Sequence, residues 1–264
     1  MPNAPSRYDA IVAEIFERNY KKGRQSVEFK RDEIELVALK LGIKLPKNQG
    51  DVLYSFRFRK ALPPSITSTA PEGYEWVIQL AGQALYRFKL VRYNRIRPNP
   101  ELLQIKVPQA TPDIITKYAM TDEQATLAKV RYNRLIDMFL GITAYSLQSH
   151  LRTTVACIGQ IEIDEVYVGL NKHGAHFIVP VQAKGGGDQI GTVQTMQDIV
   201  WCREKFPTVI CRPVAAQFLT SETIAMFELT VVDDEIKVVE ERHYKLVSKS
   251  DISDEELARY RSKS

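Results

Sequence analysis

Long apolar runs are missing from this chain. None approaches the roughly 20 residues that a helix needs to cross a bilayer, so a membrane-spanning protein is not expected. Residues 1–7 are polar and carry prolines, without the apolar core of a signal peptide, and the expectation is a cytoplasmic protein. Cysteine is scarce: Cys157, Cys202 and Cys211 form an odd set with no close pair in sequence. That argues against a disulfide framework or a zinc site and for buried thiols in a reducing compartment. No internal repeat is present. Gly185, Gly186 and Gly187 lack the Lys-Ser/Thr ending of a phosphate-binding loop. His150, His173 and His176 do not have a metal-ligand spacing, and no serine and histidine suggest a nucleophile with its base.

What is present is ordinary globular material. Of 264 residues, 44% are hydrophobic, enough for a core, and the length fits one large or two modest domains. The charge is unevenly placed. Residues 1–108 hold 19 Lys and Arg against 11 Asp and Glu, whereas the remainder holds 17 against 21. A basic part ahead of an acidic part fits a polyanion-gripping module joined to a metal-binding one.

In residues 7–22, apolar side chains recur at three- and four-residue spacing (Ile11, Val12, Ile15, Phe16, Tyr20), which predicts a helix ended by Gly23. A second helix fits residues 32–41, stopped by Gly42. After a turn with Asn48 as N-cap, a third fits residues 51–62, before Pro63 and Pro64. The period then changes to two. Residues 74–80 and 84–92 read as strands joined by a turn. Three helices followed by a hairpin is the order of a winged helix, here residues 1–95. Such a module puts its third helix into the major groove and its hairpin on the backbone or minor groove. Arg57, Arg59 and Lys60 on the third helix, with Arg87 and Lys89 on the hairpin, are therefore the DNA-binding candidates.

Residues 96–112 contain four prolines and read as a linker, with a short strand at residues 102–107. A capping box at Thr121-Asp122-Glu123-Gln124 predicts a long helix reaching Leu140, then a second helical stretch to about Leu151. Strands follow at residues 155–168 and 175–184, a helix at 188–206, and strands at 209–218, 223–232 and 236–239. This second domain, residues 113–248, is α/β. The chain is α+β overall and ends in a polar tail, residues 249–264, the one region where disorder is expected.

Strand alternation places Gln182 and Lys184 on one face, at the end of an otherwise apolar strand. Glu162 and Asp164 share a face of the preceding strand. Asp164 lies 18 positions before Gln182, which a hairpin spans, so pairing of the two strands brings Asp164 beside Gln182 and Lys184. A carboxylate, an amide oxygen and the backbone carbonyl of Ala183 make a hard-oxygen site suited to magnesium. A neighbouring lysine orients or helps deprotonate a water and steadies the charge on a phosphorane-like transition state.

Asp164 with Gln182-x-Lys184 resembles the active-site signature of the PD-(D/E)XK nuclease superfamily. The glutamine variant is similar to the catalytic domain of Mrr-like restriction endonucleases, and a winged helix ahead of such a domain is similar to restriction enzymes. The resemblance implies a Mg2+-dependent endonuclease acting on double-stranded DNA. Asp164, Gln182 and Lys184 would be catalytic, and Asp164, Gln182 and Ala183 would hold the metal. It also implies a homodimer or higher homo-oligomer, because cutting two strands takes two sites. A modification-dependent or structure-specific repair nuclease is the nearest alternative, and a non-catalytic winged-helix regulator is the alternative of another class.

Two departures stand out. Ile163 takes the place of the proline that usually precedes the first acid, and Gln182 replaces the second acid. The site is left one carboxylate short. Glu162, Glu165, Glu123 and Asp137 are the candidates to supply it. Gln194 and Gln197, on the helix that follows, read as a solvated face.

Overall fold

The computed structural model describes residues 7–47, 50–58, 61–82, 84–92, 96–118, 122–156, 158–185, 190–233 and 235–261. The chain is a mixture of helices and sheets in two units, Met1–Tyr93 with Thr154–Gly159, and Asn94–Thr153 with Gln160–Ser264. Among the described residues no helix is long and apolar enough to cross a membrane.

The first unit runs α1 (Arg7–Asn19), β1 (Ser26–Lys30), α2 (Asp32–Leu41), α3 (Gly50–Phe58), α4 (Pro64–Thr67), β2 (Tyr74–Gly82) and β3 (Leu85–Arg92). Helix α1 buries Ile11, Val12, Ile15 and Phe16. It stops three residues before Lys22 because the Asn19 amide turns back to the Ile15 carbonyl and also reaches Glu33. Helix α2 has the expected bounds. Gly42 closes it in the left-handed region at φ 64°, its amide bonding back to the last turn. Strand β1 was not expected. It has only two inward side chains, Val27 and Phe29, and its form comes from pairing with β3. The sheet order is β1-β3-β2 and both pairings are antiparallel. Phe29, Phe88 and Trp76 meet Ile11, Ile15 and Leu53 in the core.

The second unit contains β4 (Gln104–Pro108), α5 (Asp113–Tyr118), α6 (Asp122–Tyr132), α7 (Leu135–Leu140), β5 (Thr143–Val155), β6 (Gly159–Leu170), β7 (His176–Lys184), α8 (Thr192–Lys205), β8 (Ile210–Cys211), β9 (Val214–Phe218), β10 (Thr223–Val232), β11 (Glu235–Val247) and α9 (Asp254–Arg261). Among the described residues the strands form one sheet in the order β4-β11-β10-β9-β7-β6-β5, with β8 also beside β7. β6 and β7 are antiparallel, whereas β7 and β9 are parallel and need the crossover helix α8. Val179, Val181 and Ala183 of β7 pack with Leu127 of α6 and Phe139 of α7 on one face. On the other face, Ile199 of α8 meets Ala215, Ala225 and Phe227.

Several expectations need correction. The short strand expected at residues 102–107 is β4, but instead of lying in a free linker it forms an edge strand paired in parallel with β11. The polar tail, residues 249–264, is not disordered where it is described. Helix α9 is held on β4, where Tyr260 Oη accepts from the Lys106 amide and Glu256 pairs with the Lys106 ammonium. The long helix to Leu140 is broken into α6 and α7. The buried Asn133 amide group bonds Gln109, Thr111 and the Lys129 carbonyl, and Arg134 turns left-handed at φ 50°. The helical stretch to Leu151 is instead strand β5. Gly141 ends α7 at φ 64°, and the threonines, tyrosine and valine that follow suit a pleated backbone. The strand at residues 209–218 splits into β8 and β9. Between them, Arg212 pairs through two nitrogens with Glu228 and donates to the Leu140 carbonyl. The expected N-cap Asn48, the capping-box residue Thr121, Cys157, Gly186 and Gly187 lie outside the described residues.

Candidate active site

The ladder between β6 and β7 runs from Leu170↔His176 to Glu165↔Val181. One step further it changes character. The Ala183 amide donates to Asp164 Oδ2 at 2.9 Å. On its other side β7 stays registered with β9 as far as Lys184↔Gln217. The Asp164 carboxylate therefore stands where the next backbone pairing of β6 would be, and it is largely buried there.

Gln182 is turned toward α8. Its Nε2 donates to Asp198 Oδ2 at 2.5 Å, and both side chains are almost wholly buried. The remaining oxygens, Gln182 Oε1 and Asp198 Oδ1, have no hydrogen-bond partner among the described residues. An orphaned buried acceptor carries the full cost of leaving water. Lys184 is mostly covered, its Nζ 3.7 Å from Glu123 Oε1 on α6.

The electrostatics follow from burial. The Asp164 carboxyl is pushed above its usual pKa by desolvation. The Ala183 amide and the Lys184 charge oppose this, while the Glu123 charge adds to it. Asp198 is raised further, again by burial first. The Gln182 amide works against the rise, and the nearby Asp164 charge reinforces it. Two buried acids within electrostatic reach of each other raise one another's cost of ionising.

This donor set suits a hard divalent cation. Two carboxylates and an amide oxygen, two of their oxygens unpartnered, are oxygen ligands of the kind magnesium and calcium take. A cation there would satisfy the orphaned oxygens and remove the penalty on charging both acids. Among the described residues no group of three or more His, Cys, Asp or Glu side chains is gathered for a metal. The set here is two acids supplemented by amide oxygen.

The four candidates for the missing acid are dispersed. Glu162 Oε2 is 3.2 Å from Arg152 Nε, and its Oε1 is 3.9 Å from His150 Nδ1. Glu165 lies on the opposite face, fully buried, accepting from Arg131 and Ser146. Asp137 is bound to Arg134 and to the Ala144 amide. Glu123 alone of the four reaches Lys184. Sequence reasoning passed over Asp198, which shares the buried face of α8 with Thr195, Ile199 and Cys202. The signal was an acid on the apolar stripe of a helix. The Gln194 amide sits 3.5 Å from the Glu162 carbonyl, and Gln197 is buried rather than solvated. His176 begins β7, at the opposite end from Lys184. Cys202 and Cys211 are closer than their sequence separation suggested. A hydrogen bond to Cys211, together with burial, pushes the Cys202 thiol up.

Of the basic candidates in the first unit, Arg57 is half-buried and donates to the Ile158 carbonyl. Arg59 and Lys60 lie outside the described residues. Arg87 stands between Glu28 and Gln79 on the neighbouring strands, and Lys89 is exposed between Ser26 and Val77.

No protein-family model matches this chain, and neither does any curated protein or solved structure.

Proposed function

We propose that this chain is a magnesium-dependent endonuclease of the PD-(D/E)XK kind, cutting double-stranded DNA, with restriction as its role. One observation carries the reading. The Asp164 carboxylate bonds the Ala183 amide in the same buried site as the unpartnered oxygens of Gln182 and Asp198, with Lys184 at the strand end. In this reading Asp164, Asp198 and Gln182 Oε1 hold the cation, with the Ala183 carbonyl as a further ligand. When bound, the magnesium ion supplies Lewis-acid polarisation of a phosphoryl oxygen and a more acidic water.

The chain's own residues do the rest. The Ala183 amide fixes one Asp164 oxygen and leaves the other free to ligate. Gln182 Nε2 orients Asp198, so the amide acts both as ligand and as support for a ligand. Lys184 places a positive charge where negative charge gathers on the non-bridging oxygens of the phosphoryl group, and Glu123 keeps the lysine ammonium at the strand end. The first unit, with four helices and a three-stranded sheet among its described residues and a hairpin that bears Arg87 and Lys89, serves as a winged-helix module that docks the duplex, and two copies supply the two cuts.

The test is digestion of methylated and unmethylated plasmid by the full chain, with magnesium and with chelator. The reading predicts magnesium-dependent cutting that falls about 1,000-fold in Asp164→Asn and about 100-fold in Lys184→Ala. Cutting only of methylated plasmid makes the enzyme modification-dependent. DNA binding without cutting under any divalent cation leaves a winged-helix regulator.

A further inference from the structure

We propose that His150 and Arg152 form a clamp for a phosphate of the strand being cut, and that Glu162 occupies this clamp until DNA arrives. The proposal rests on the nuclease reading of the Asp164 site. Its starting point is a conflict of charge. Three carboxyl groups, Asp164, Asp198 and Glu123, gather around the strand end, and Lys184 is already paired with Glu123. A phosphodiester approaching Asp164 needs cations that are accessible rather than committed.

Strand β5 provides an arginine, with a histidine donor beside it. Arg152 and His150 face Glu162, which lies two residues before Asp164 and therefore on the same face of β6. His150 is also near enough to Asp164 for its charge to favour the ionised carboxyl. Both side chains remain open to solvent, with half of the His150 side chain and two-thirds of the Arg152 side chain exposed. Gln194 at the start of α8 donates to the Glu162 carbonyl, which fixes this edge of the site.

The backbone adds an independent sign. His150 sits at φ 49°, in the left-handed region, inside a strand. Histidine enters this region more readily than most residues but still uncommonly, and a kink in an edge strand re-aims the side chain that carries it. An exposed Arg–Glu pair stabilises a fold too little to account for the kink. The arrangement makes sense if His150 and Arg152 are aimed at a ligand. A guanidinium gripping a carboxylate through its Nε has the geometry to grip a phosphate. Glu162 is then a stand-in anion that holds the guanidinium in place and is displaced by DNA.

A clamp and a structural staple predict different signs. The experiment is fluorescence anisotropy of the full chain with a labelled duplex of about 30 base pairs, with chelator present and over a range of salt. Arg152→Gln should weaken binding about tenfold and lower the slope of log K against log salt by about 0.9, the loss of one phosphate contact. His150→Asn, which tolerates the left-handed backbone, should weaken it about threefold. Glu162→Gln should tighten it about threefold, because the competing anion is gone. Arg152→Lys, which keeps the charge without the fork, should lie between wild type and Arg152→Gln, and it serves where Arg152→Gln fails to fold.

The clamp is overturned if Arg152→Gln leaves affinity and salt slope unchanged, or if Arg152→Gln and Glu162→Gln move affinity in the same direction. Cutting by wild type with such unchanged binding removes the clamp alone. Opposite shifts in a protein that never cuts remove the nuclease reading and keep the clamp.

Discussion

Asp164 and Glu165 are neighbours on β6, yet they face opposite sides of one sheet and meet opposite treatment. Glu165 is fully buried and its Oε1 accepts from Arg131 at 2.8 Å and Ser146 at 2.6 Å. Asp164 is largely covered, beside a second and fully buried acid, Asp198. The nearest protein cation, Lys184, already has Glu123 as its partner, and two oxygens in the site have no partner among the described residues. Glu165 Oε2 is also without a hydrogen-bond partner among the described residues, but the Arg131 guanidinium on Oε1 balances its charge, so this acid explains itself as structure. Two buried acids left short of cations do not, because the fold gains nothing by desolvating them. The difference suggests that the compensating charge comes from outside the chain.

Three perturbations sharpen this contrast. Glu165→Ala strips Arg131 of its partner. Breaking a buried pair costs about 3–5 kcal/mol, and the lower end applies because Arg131 is 41% exposed and can turn to water. Chemical denaturation should read this loss with and without divalent cations. Asp198→Asn should do the reverse. In chelator it relieves a buried charge and raises stability by about 1–2 kcal/mol, while in magnesium it abolishes the stabilisation that the cation gives wild type. Destabilisation by both variants in chelator would erase the distinction between the two faces.

The third and smallest effect is a pH slope. The Asp164 and Asp198 pKa values are raised in the folded chain above the ordinary aspartate value of 3.8, so between that value and the raised ones the native state binds more protons than the unfolded state. The stability from these groups is full below about pH 3.8 and is lost as pH rises through the folded values. The metal-free protein should lose stability over that rise, Asp198→Asn should flatten the loss, and a divalent cation should reverse it near neutrality. A melting series across pH in chelator reads all three.

Much of this site was legible in the sequence because it depends on strand parity. Asp164, Gln182 and Lys184 were placed by alternation and by a hairpin of adequate length, and β7 and α2 keep close to their expected bounds. The fourth member escaped because a helical stripe reports burial without chemistry. Asp198 reads as a polar interruption until the strand across from it is known to carry Gln182. Strand β5 escaped for another reason. It is an edge strand exposed on both faces over most of its length, so no alternation marks it. With β5 read as helix, His150 and Arg152 could not be placed against Glu162. Strand β4 was legible as a short strand, but its parallel pairing with β11 was not, and helix α9 was hidden in a polar segment whose order comes from contacts distant in sequence, such as Glu256 and Tyr260 with Lys106.

The most direct test is calorimetric titration of magnesium into the full chain at neutral pH, in buffers of differing ionisation heat. The account predicts one saturable site in wild type, with proton release on binding as the buried acids ionise, and loss of that site in both Asp164→Asn and Asp198→Asn. A wild-type chain that binds no divalent cation, or variants that bind it as wild type does, would contradict the account.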